Sequence, residues 1–350
     1  VIDRRCAMPL QPGELDALVD VEGLLVGHDQ RLDDHWATGA TAVIAPGGAT
    51  AAVDVRGGGP GTRETDVLEP SHLVQRVNGV VLAGGSAYGL AAADGAMRWL
   101  GERGHGVPVG GPGQVVPVVP AAVIFDVPMN DWGNRPDADF GYRACDNATR
   151  TETRQGNVGA GTGAVVGPVK GGVGTASAVL PDGTTVAALV VVNAAGSAID
   201  PDTGLPWTST PGLRAPDSHE VEAARPRYEG RPGRNGPVDR PLNTTLGVVA
   251  TDLELSKSEC RRLAVAGHDA LARAVRPAHL LVDGDTVFGL STGTGHALPE
   301  PGAPGWAVRL DQVSVVAAEV VERAIVRGML AAEPVGEVMC YTRLYPSARE

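Results

Sequence analysis

Short apolar runs, rich in Val and Ala and mostly closing on glycine, recur along the chain. They predict strands at 51–57, 79–85, 117–126, 174–180, 185–194, 245–252, 279–283 and 286–293. Runs that stay apolar at successive positions, such as VAALVVVNAA at 186–195, suit strands buried on both faces. A helical period shows at three places. Leu90, Ala93, Met97 and Leu100 share a face after Ser86, which is placed to cap that helix. Ser256 and Glu259 form an S-x-x-E capping box ahead of Cys260, Leu263, Ala264, Leu271 and Ala274. From Asp311, the residues Val313, Val316, Ala317, Val320, Val321 and Ala324 mark a long amphipathic helix. Strands mixed with a few long helices predict one layered α/β domain whose sheets are covered by helices. The alternation is too irregular for a doubly wound sheet.

One stretch breaks the pattern. Residues 201–242 are rich in Pro, Gly and Arg without periodicity, which predicts a flexible linker. It ends abruptly at the strand NTTLGVVATD, 243–252.

Composition narrows the function classes. Hydrophobic residues at 43% and charged residues at 20% are globular values. Lys+Arg 29 against Asp+Glu 41 gives a net charge of -12, and the only lysines are Lys170 and Lys257. A chain so acidic lacks the electrostatic footprint for nucleic acid or anionic lipid. No apolar run is long enough to span a bilayer, and residues 1–18 carry no signal-peptide core, so a cytoplasmic protein is expected. Cys6, Cys145, Cys260 and Cys340 are too far apart in sequence for a metal knuckle or redox dithiol, and the eight histidines form no HExxH pair. Neither a metal nor a cofactor is expected. The unusual count is Gly 48, which implies many tight turns and close backbone approaches.

Candidate chemistry lies in a few segments. GNVGAGTGAVVG (156–167) resembles a phosphate cradle but fits neither the dinucleotide nor the Walker spacing. GGSAYG (84–89) falls one glycine short of a nucleophile elbow. GGGPGTRE (57–64) carries Arg63 and Glu64, either a structural ion pair beside a loop or part of a substrate pocket. The Asn243–Thr244 junction is different. A linker that delivers a small hydroxyl residue to the head of a buried strand is what self-cleavage needs. A Thr that opens a strand is usually structural; in the self-cleaving alternative Thr244 Oγ would attack the Asn243 carbonyl, the acyl group would shift from N to O, and water would release a chain that begins at Thr244. The freed α-amine, with a reference pKa of about 7.7–8.0, then serves as general base for its own hydroxyl, and no histidine is required.

Segments in order along the chain carry a resemblance: VEGLLVGHD (21–29), GGGPGTRETDVLEP (57–70), LAGGSAYGLAAADGAMRWL (82–100), VPVVPAAVIFD (116–126), GNVGAGTGA (156–164), LVVVNAAGSAIDP (189–201), NTTLGVVATD (243–252) and ARAVRPAHLLVDGDTVFGLSTG (272–293). The chain resembles the DmpA family of self-processing aminopeptidases and amidases, relatives of the ornithine acetyltransferases. The resemblance implies a four-layer αββα sandwich of the N-terminal-nucleophile kind, a single domain cut into chains 1–243 and 244–350 that stay associated, and assembly as a homo-oligomer. It places the nucleophile at Thr244, the residue before the cut at Asn243, and an oxyanion-stabilising amide at Asn193. Asp283 and Asp285 fall where members carry a small polar residue and a carboxylate that orient the Thr244 amine and manage its proton.

The chain also departs from the family pattern. Peptide-cleaving members carry a tyrosine-bearing ETxDGxLND segment, where this chain has VIFDVPMNDWGN (123–134). With the long linker and a Thr in place of Ser, this resembles the branch that cleaves pantetheine-type amides in carbapenem biosynthesis. Hydrolysis of a small-molecule amide is therefore expected, pantetheine-type first. A broad aminopeptidase, β-aminopeptidase or D-amino acid amidase is the alternative. Acyl transfer is less expected because the Ala-Thr nucleophile segment of the acetyltransferases is absent. A binding protein of the same fold without chemistry is the reading from another class, and the Asn243–Thr244 pair speaks against it.

Overall fold

The computed structural model describes residues 10–229 and 243–349. One mixed sheet organises them. Two long strands, β1 (Leu25–Asp33) and β2 (Trp36–Val55), form a hairpin with a tight antiparallel register from Leu25↔Ile44 to Asp33↔Trp36. β2 has a register irregularity between Ile44 and Ala49 against its partner β4 (Arg76–Ala83), and such irregularities let a strand bend. Its first half joins β4, then β7 (Ala121–Val123) and the two-residue edge strand β3 (Thr62–Arg63). Its second half pairs β13 (Thr286–Ser291), which continues to β12 (Leu246–Thr251), β11 (Thr185–Val191) and β10 (Val173–Val179). Two small hairpins, β5–β6 (Val107–Pro108 and Val115–Val116) and β8–β9 (Val165–Val166 and Val169–Lys170), stand outside the sheet.

The strands face two ways, and the alternation assigns each face to a different core. On β11, Val186, Ala188 and Val190 point to one apolar cluster, while Ala187, Leu189 and Val191 point to another. The first cluster lies under α4 (Lys257–Ala274) and α5 (Trp306–Leu330), which supply Leu263, Ala270, Val313, Val320 and Ile325. The second joins β10–β13 to the inward residues of β1, β2 and β4, among them Val26, Val43, Val80 and Leu82. A third holds Ala40, Ala42 and Ile44 of β2 and Val81 and Ala83 of β4 against α1 (Ala92–Glu102) and α2 (Ala138–Asp146). Helices, half-sheet, half-sheet and helices thus stack in four layers, the αββα sandwich expected from the resemblance. The all-buried strands also match the reading of uninterrupted apolar runs.

Glycine sets how closely some layers meet. A Cβ on Gly95 of α1 would collide with the Ala138 carbonyl of α2, and one on Gly141 of α2 with the Ala92 carbonyl of α1. The two helices therefore pack backbone to backbone.

Several local expectations need correction. The capping box at Ser256 and Glu259 forms, each residue accepting the other's backbone N–H. Ser86 does not cap its helix: Gly85 takes that place, a short 3₁₀ turn precedes α1, and Ser86 has φ 55°. HLLVD (279–283) is a turn and not a strand, because His279 at φ 58° breaks the extended run. The predicted strand 117–126 shortens to β7, since the prolines at 117 and 120 deny ladder donors. Nor are residues 201–229 of the expected linker structureless. They contain α3 (Ser218–Ala224), bury Ala224 and Tyr228 in the core, and bond through Glu220 to Ser347 and through Tyr228 to Tyr345. Residues 230–242 lie outside the described residues.

Candidate active site

Three strand ends meet at one place. β11 runs antiparallel to β12, and β12 runs parallel to β13, so the residues just after β11 lie beside those just before β12 and β13. Asn193, Thr244 and the Asp283–Asp285 pair are those residues, and all four are buried. The layered core continues beneath them, so their side chains sit on rigid elements.

Thr244 is held by its backbone, whose N–H donates to the Asn193 carbonyl at 2.8 Å. Its hydroxyl Oγ1 donates to the Asn243 carbonyl oxygen at 2.6 Å. That same oxygen accepts the Gly284 N–H at 3.0 Å. The carbonyl at the candidate scissile bond is thus polarised by a backbone donor with the hydroxyl beside it. Gly284 has to be glycine for this approach, because a Cβ there would strike the Gly59 carbonyl. The GGG loop is in turn fixed on the turn by Gly59 N–H donating to Asp283 O at 2.8 Å.

The Asn193 side chain is oriented from one end. Its Oδ1 accepts the Val165 N–H at 2.9 Å. Its Nδ2 has only a long contact, 3.5 Å, to the Phe125 carbonyl. The amide is fixed in direction while its donor end stays nearly uncommitted.

Neither aspartate bonds to Thr244 in the uncut chain. Asp283 accepts the Ala195 N–H at 3.2 Å and the Leu280 N–H at 3.0 Å. Asp285 accepts the Thr245 N–H at 2.8 Å on one oxygen, and the His279 N–H and ring Nδ1 on the other. Burial, and then the Asp285 carboxylate alongside, push the Asp283 carboxyl up to about 6. The expectation that the pair meets an α-amine concerns a cleaved form; in the continuous chain the two aspartates lock the turn that carries Gly284.

A second buried charge cluster borders Asn193. Asp126 accepts the Thr38 hydroxyl at 2.6 Å and the Gly85 N–H at 2.6 Å. Lys170 donates to the Gly161 and Gly171 carbonyls at 2.9 and 2.7 Å, which ties down the glycine loop that presents Val165. Burial pushes Asp126 up to about 6 and Lys170 down to about 7. Neither stands out as a site residue from the sequence alone. Their signal was a rare lysine inside a glycine-rich apolar segment, and a carboxylate in the segment that departs from the family pattern. His279 was missed because it was read as part of a strand.

Arg63 and Glu64 are placed elsewhere. Arg63 pairs with Asp94 of α1 at 2.7 Å, and Glu64 accepts the Val119 N–H at 2.9 Å. Among the described residues no hydrogen bond or ion pair joins either to the Thr244 cluster. Cys145, Cys260 and Cys340 are buried free thiols, as small hydrophobes would be. Among the described residues, no helix is long and apolar enough to cross a membrane.

The four layers are those of the N-terminal-nucleophile hydrolases. The structure of an L-aminopeptidase D-Ala-esterase/amidase from Ochrobactrum anthropi, described as a variant of that fold, superposes with a TM-score of 0.71, covering 95% of this chain and 90% of that one at 24% identity. The chain belongs to peptidase family S58, whose model matches residues 16–341, and is an amide-bond hydrolase of that family. It is 48% identical over 348 residues to an uncharacterised aminopeptidase of Mycobacterium bovis, spanning 95% of this chain and 99% of the relative. It is 31% identical over 282 residues to a 6-aminohexanoate-oligomer endohydrolase of Kocuria sp., spanning 78% and 74%.

Proposed function

We propose that the chain cuts itself between Asn243 and Thr244 and then hydrolyses small amides with the new N-terminal threonine. One observation carries this reading: the Thr244 hydroxyl lies 2.6 Å from the oxygen of the preceding carbonyl, which Gly284 N–H already polarises. Attack by Oγ on the Asn243 carbonyl carbon forms the C–O bond and breaks the C–N bond. The hydroxyl proton passes to the departing nitrogen, which becomes the Thr244 amine. Water then hydrolyses the ester, leaving a carboxylate on Asn243. In turnover the amine takes the Oγ proton as Thr244 attacks substrate and returns it to the leaving amine. Asn193 Nδ2 donates to the oxyanion, and water clears the acyl-enzyme.

The cut chains stay together in this reading. β12 is inserted between β11 of the first chain and β13, and β13 between β12 and β2 of the first chain. No cofactor enters any step.

The substrate is a small amide whose acyl group reaches a buried hydroxyl. The relatives' names point to peptide N-termini or ω-amino acid amides, and the departures at 123–134 add a pantetheine-type amide to the panel. Intact mass of the purified protein under denaturing conditions should show fragments 1–243 and 244–350 that co-elute natively, as a homo-oligomer of the pair. An uncut chain that turns over amides would sink the proposal. Initial rates on an amino acid amide, a 6-aminohexanoate dimer and pantetheine then rank the substrates.

A further inference from the structure

Behind the Asp283–Asp285 turn sits a histidine that none of the chemistry above uses. His279 reaches Asp285 Oδ2 through ring Nδ1 at 2.8 Å and through its own N–H at 3.2 Å. Since a carboxylate only accepts, Nδ1–H is the donor. Nε2 is buried without a hydrogen-bond partner. The residue adopts φ 58°, a conformation uncommon for a residue with a Cβ and kept only where the surroundings enforce it. Its ring meets the edge of His268 of α4, with centroids 4.9 Å apart. His268 is buried, bonds the Asp54 carbonyl through Nε2, and is pushed down to about 4 by burial, so it stays neutral and acts as packing.

The other charges around this pair are ion-paired among themselves. Arg56 pairs with Asp54 at the end of β2 and approaches Asp269 of α4, and Arg261 of α4 also faces Asp54. Arg261 also pairs with Glu69 at 3.1 Å, so two guanidinium groups meet three carboxylates there. That leaves two adjacent buried carboxylates, Asp283 and Asp285, facing the His279 ring and, once the chain is cut, the Thr244 amine.

We propose that His279 is the positioning residue of this site: by holding Asp285 it fixes the Thr245 amide that follows the nucleophile, and it tempers the repulsion between Asp285 and Asp283. The proposal rests on the reading of Thr244 as nucleophile. Asp285 has one oxygen on the Thr245 N–H and the other on His279. Loss of the ring leaves that oxygen only the longer bond from the backbone N–H of residue 279, at 3.2 Å, so Asp285 is held less firmly and so is the β12 tether one residue after the attacking hydroxyl. The Nδ1–H donor also draws charge from the Asp285 carboxylate, which after burial is the next cause of the raised Asp283 carboxyl. Without the ring, Asp283 titrates higher still.

Two substitutions isolate the side chain from the strained backbone. Glycine and asparagine both accept the left-handed conformation. His279→Gly removes the ring, whereas His279→Asn keeps a donor close to the Nδ1 position. The expected result in His279→Gly is an acid limb of kcat/KM displaced upward. A displacement of about one pH unit from a carboxyl near 6 lowers kcat/KM about fivefold at pH 6 and less than about 1.2-fold at pH 8. His279→Asn should restore the wild-type limb. A loss equal at all pH values, or wild-type behaviour of the glycine variant, overturns the positioning role. Where the glycine variant does not fold, the ¹⁵N shifts of the wild-type ring decide. A protonated Nδ1 is the expected state, and a bare Nδ1 overturns the proposal. Thr244→Ala keeps the two readings apart. Hydrolysis that survives in it removes the nucleophile assignment, whereas an inactive Thr244→Ala beside a pH-independent His279→Gly removes only the role of His279.

Discussion

Replacing Asn193 tests the oxyanion assignment, because the two ends of this amide do different work. Oδ1 takes the Val165 N–H at 2.9 Å, while Nδ2 is 3.5 Å from its nearest acceptor, the Phe125 carbonyl. Asn193→Ala removes both. The half-buried Val165 N–H loses its partner, which costs about 1 kcal/mol of stability, the low end for an orphaned donor. The negative charge that develops on the attacked carbonyl loses a donor, which costs about 2.7–4 kcal/mol in the transition state, or roughly 10²–10³ in kcat. Asn193→Asp separates the two losses. A carboxylate still accepts from Val165 but donates nothing and sets a negative charge beside the oxyanion, so it should spare folding and abolish turnover. The expected outcome for both is accumulation of the 350-residue precursor in a mass time course, and a rate reduced by at least the stated factor in whatever fraction is cut. Thermal denaturation reports the stability cost, which should be larger for Ala. If folded Asn193→Asp cleaves and turns over at the wild-type rate, Nδ2 is not the oxyanion donor and the assignment fails.

Two further outcomes follow from burial and packing. Asp283→Asn, made on a Thr244→Ala background so that only precursor is present, orphans one of the N–H groups that Asp283 now accepts and should cost roughly 1–3 kcal/mol. Because the folded Asp283 titrates near 6, above its ordinary value of about 3.9, the native state holds a proton that the unfolded chain releases between those values. Wild-type stability therefore falls as pH rises from about 4 to about 6, and the variant's deficit should shrink over that window in urea unfolding; a deficit that grows contradicts the burial argument. Gly141→Ala in α2 should lower stability by about 1–3 kcal/mol, since the added methyl meets the Ala92 carbonyl of α1. Gly104→Ala, with nothing near its Cβ but φ 72°, should cost only local strain and leave the α1–α2 contact unaltered.

The contrast between those glycines explains what the sequence could and could not reveal. Glycine abundance implies close backbone approaches, and Gly284 against Gly59 is one, beside the candidate nucleophile. Gly95 and Gly141, however, serve helix packing far along the chain from that turn, and Gly174 of β10 sits against the Ala324 carbonyl of α5. No local pattern separates these uses, because each depends on which segment arrives opposite. The same holds for the strands. β10 to β13 were legible as apolar runs since both their faces are buried, whereas β1 ends in exposed polar residues and the first half of β2 carries Thr38, Gly39 and Thr41 in a buried row. Those threonines are satisfied by groups distant in sequence, Thr38 by Asp126 and Thr41 by His28 and Ala160. Short motifs marked Thr244, Asn193 and the DGD turn through resemblance. The partners that make the arrangement specific, Gly284 N–H on the Asn243 carbonyl and His279 behind Asp285, come from strand ends brought together by the sheet. A reading of the chain one segment at a time finds the hydroxyl, and only the folded register supplies the donors that surround it.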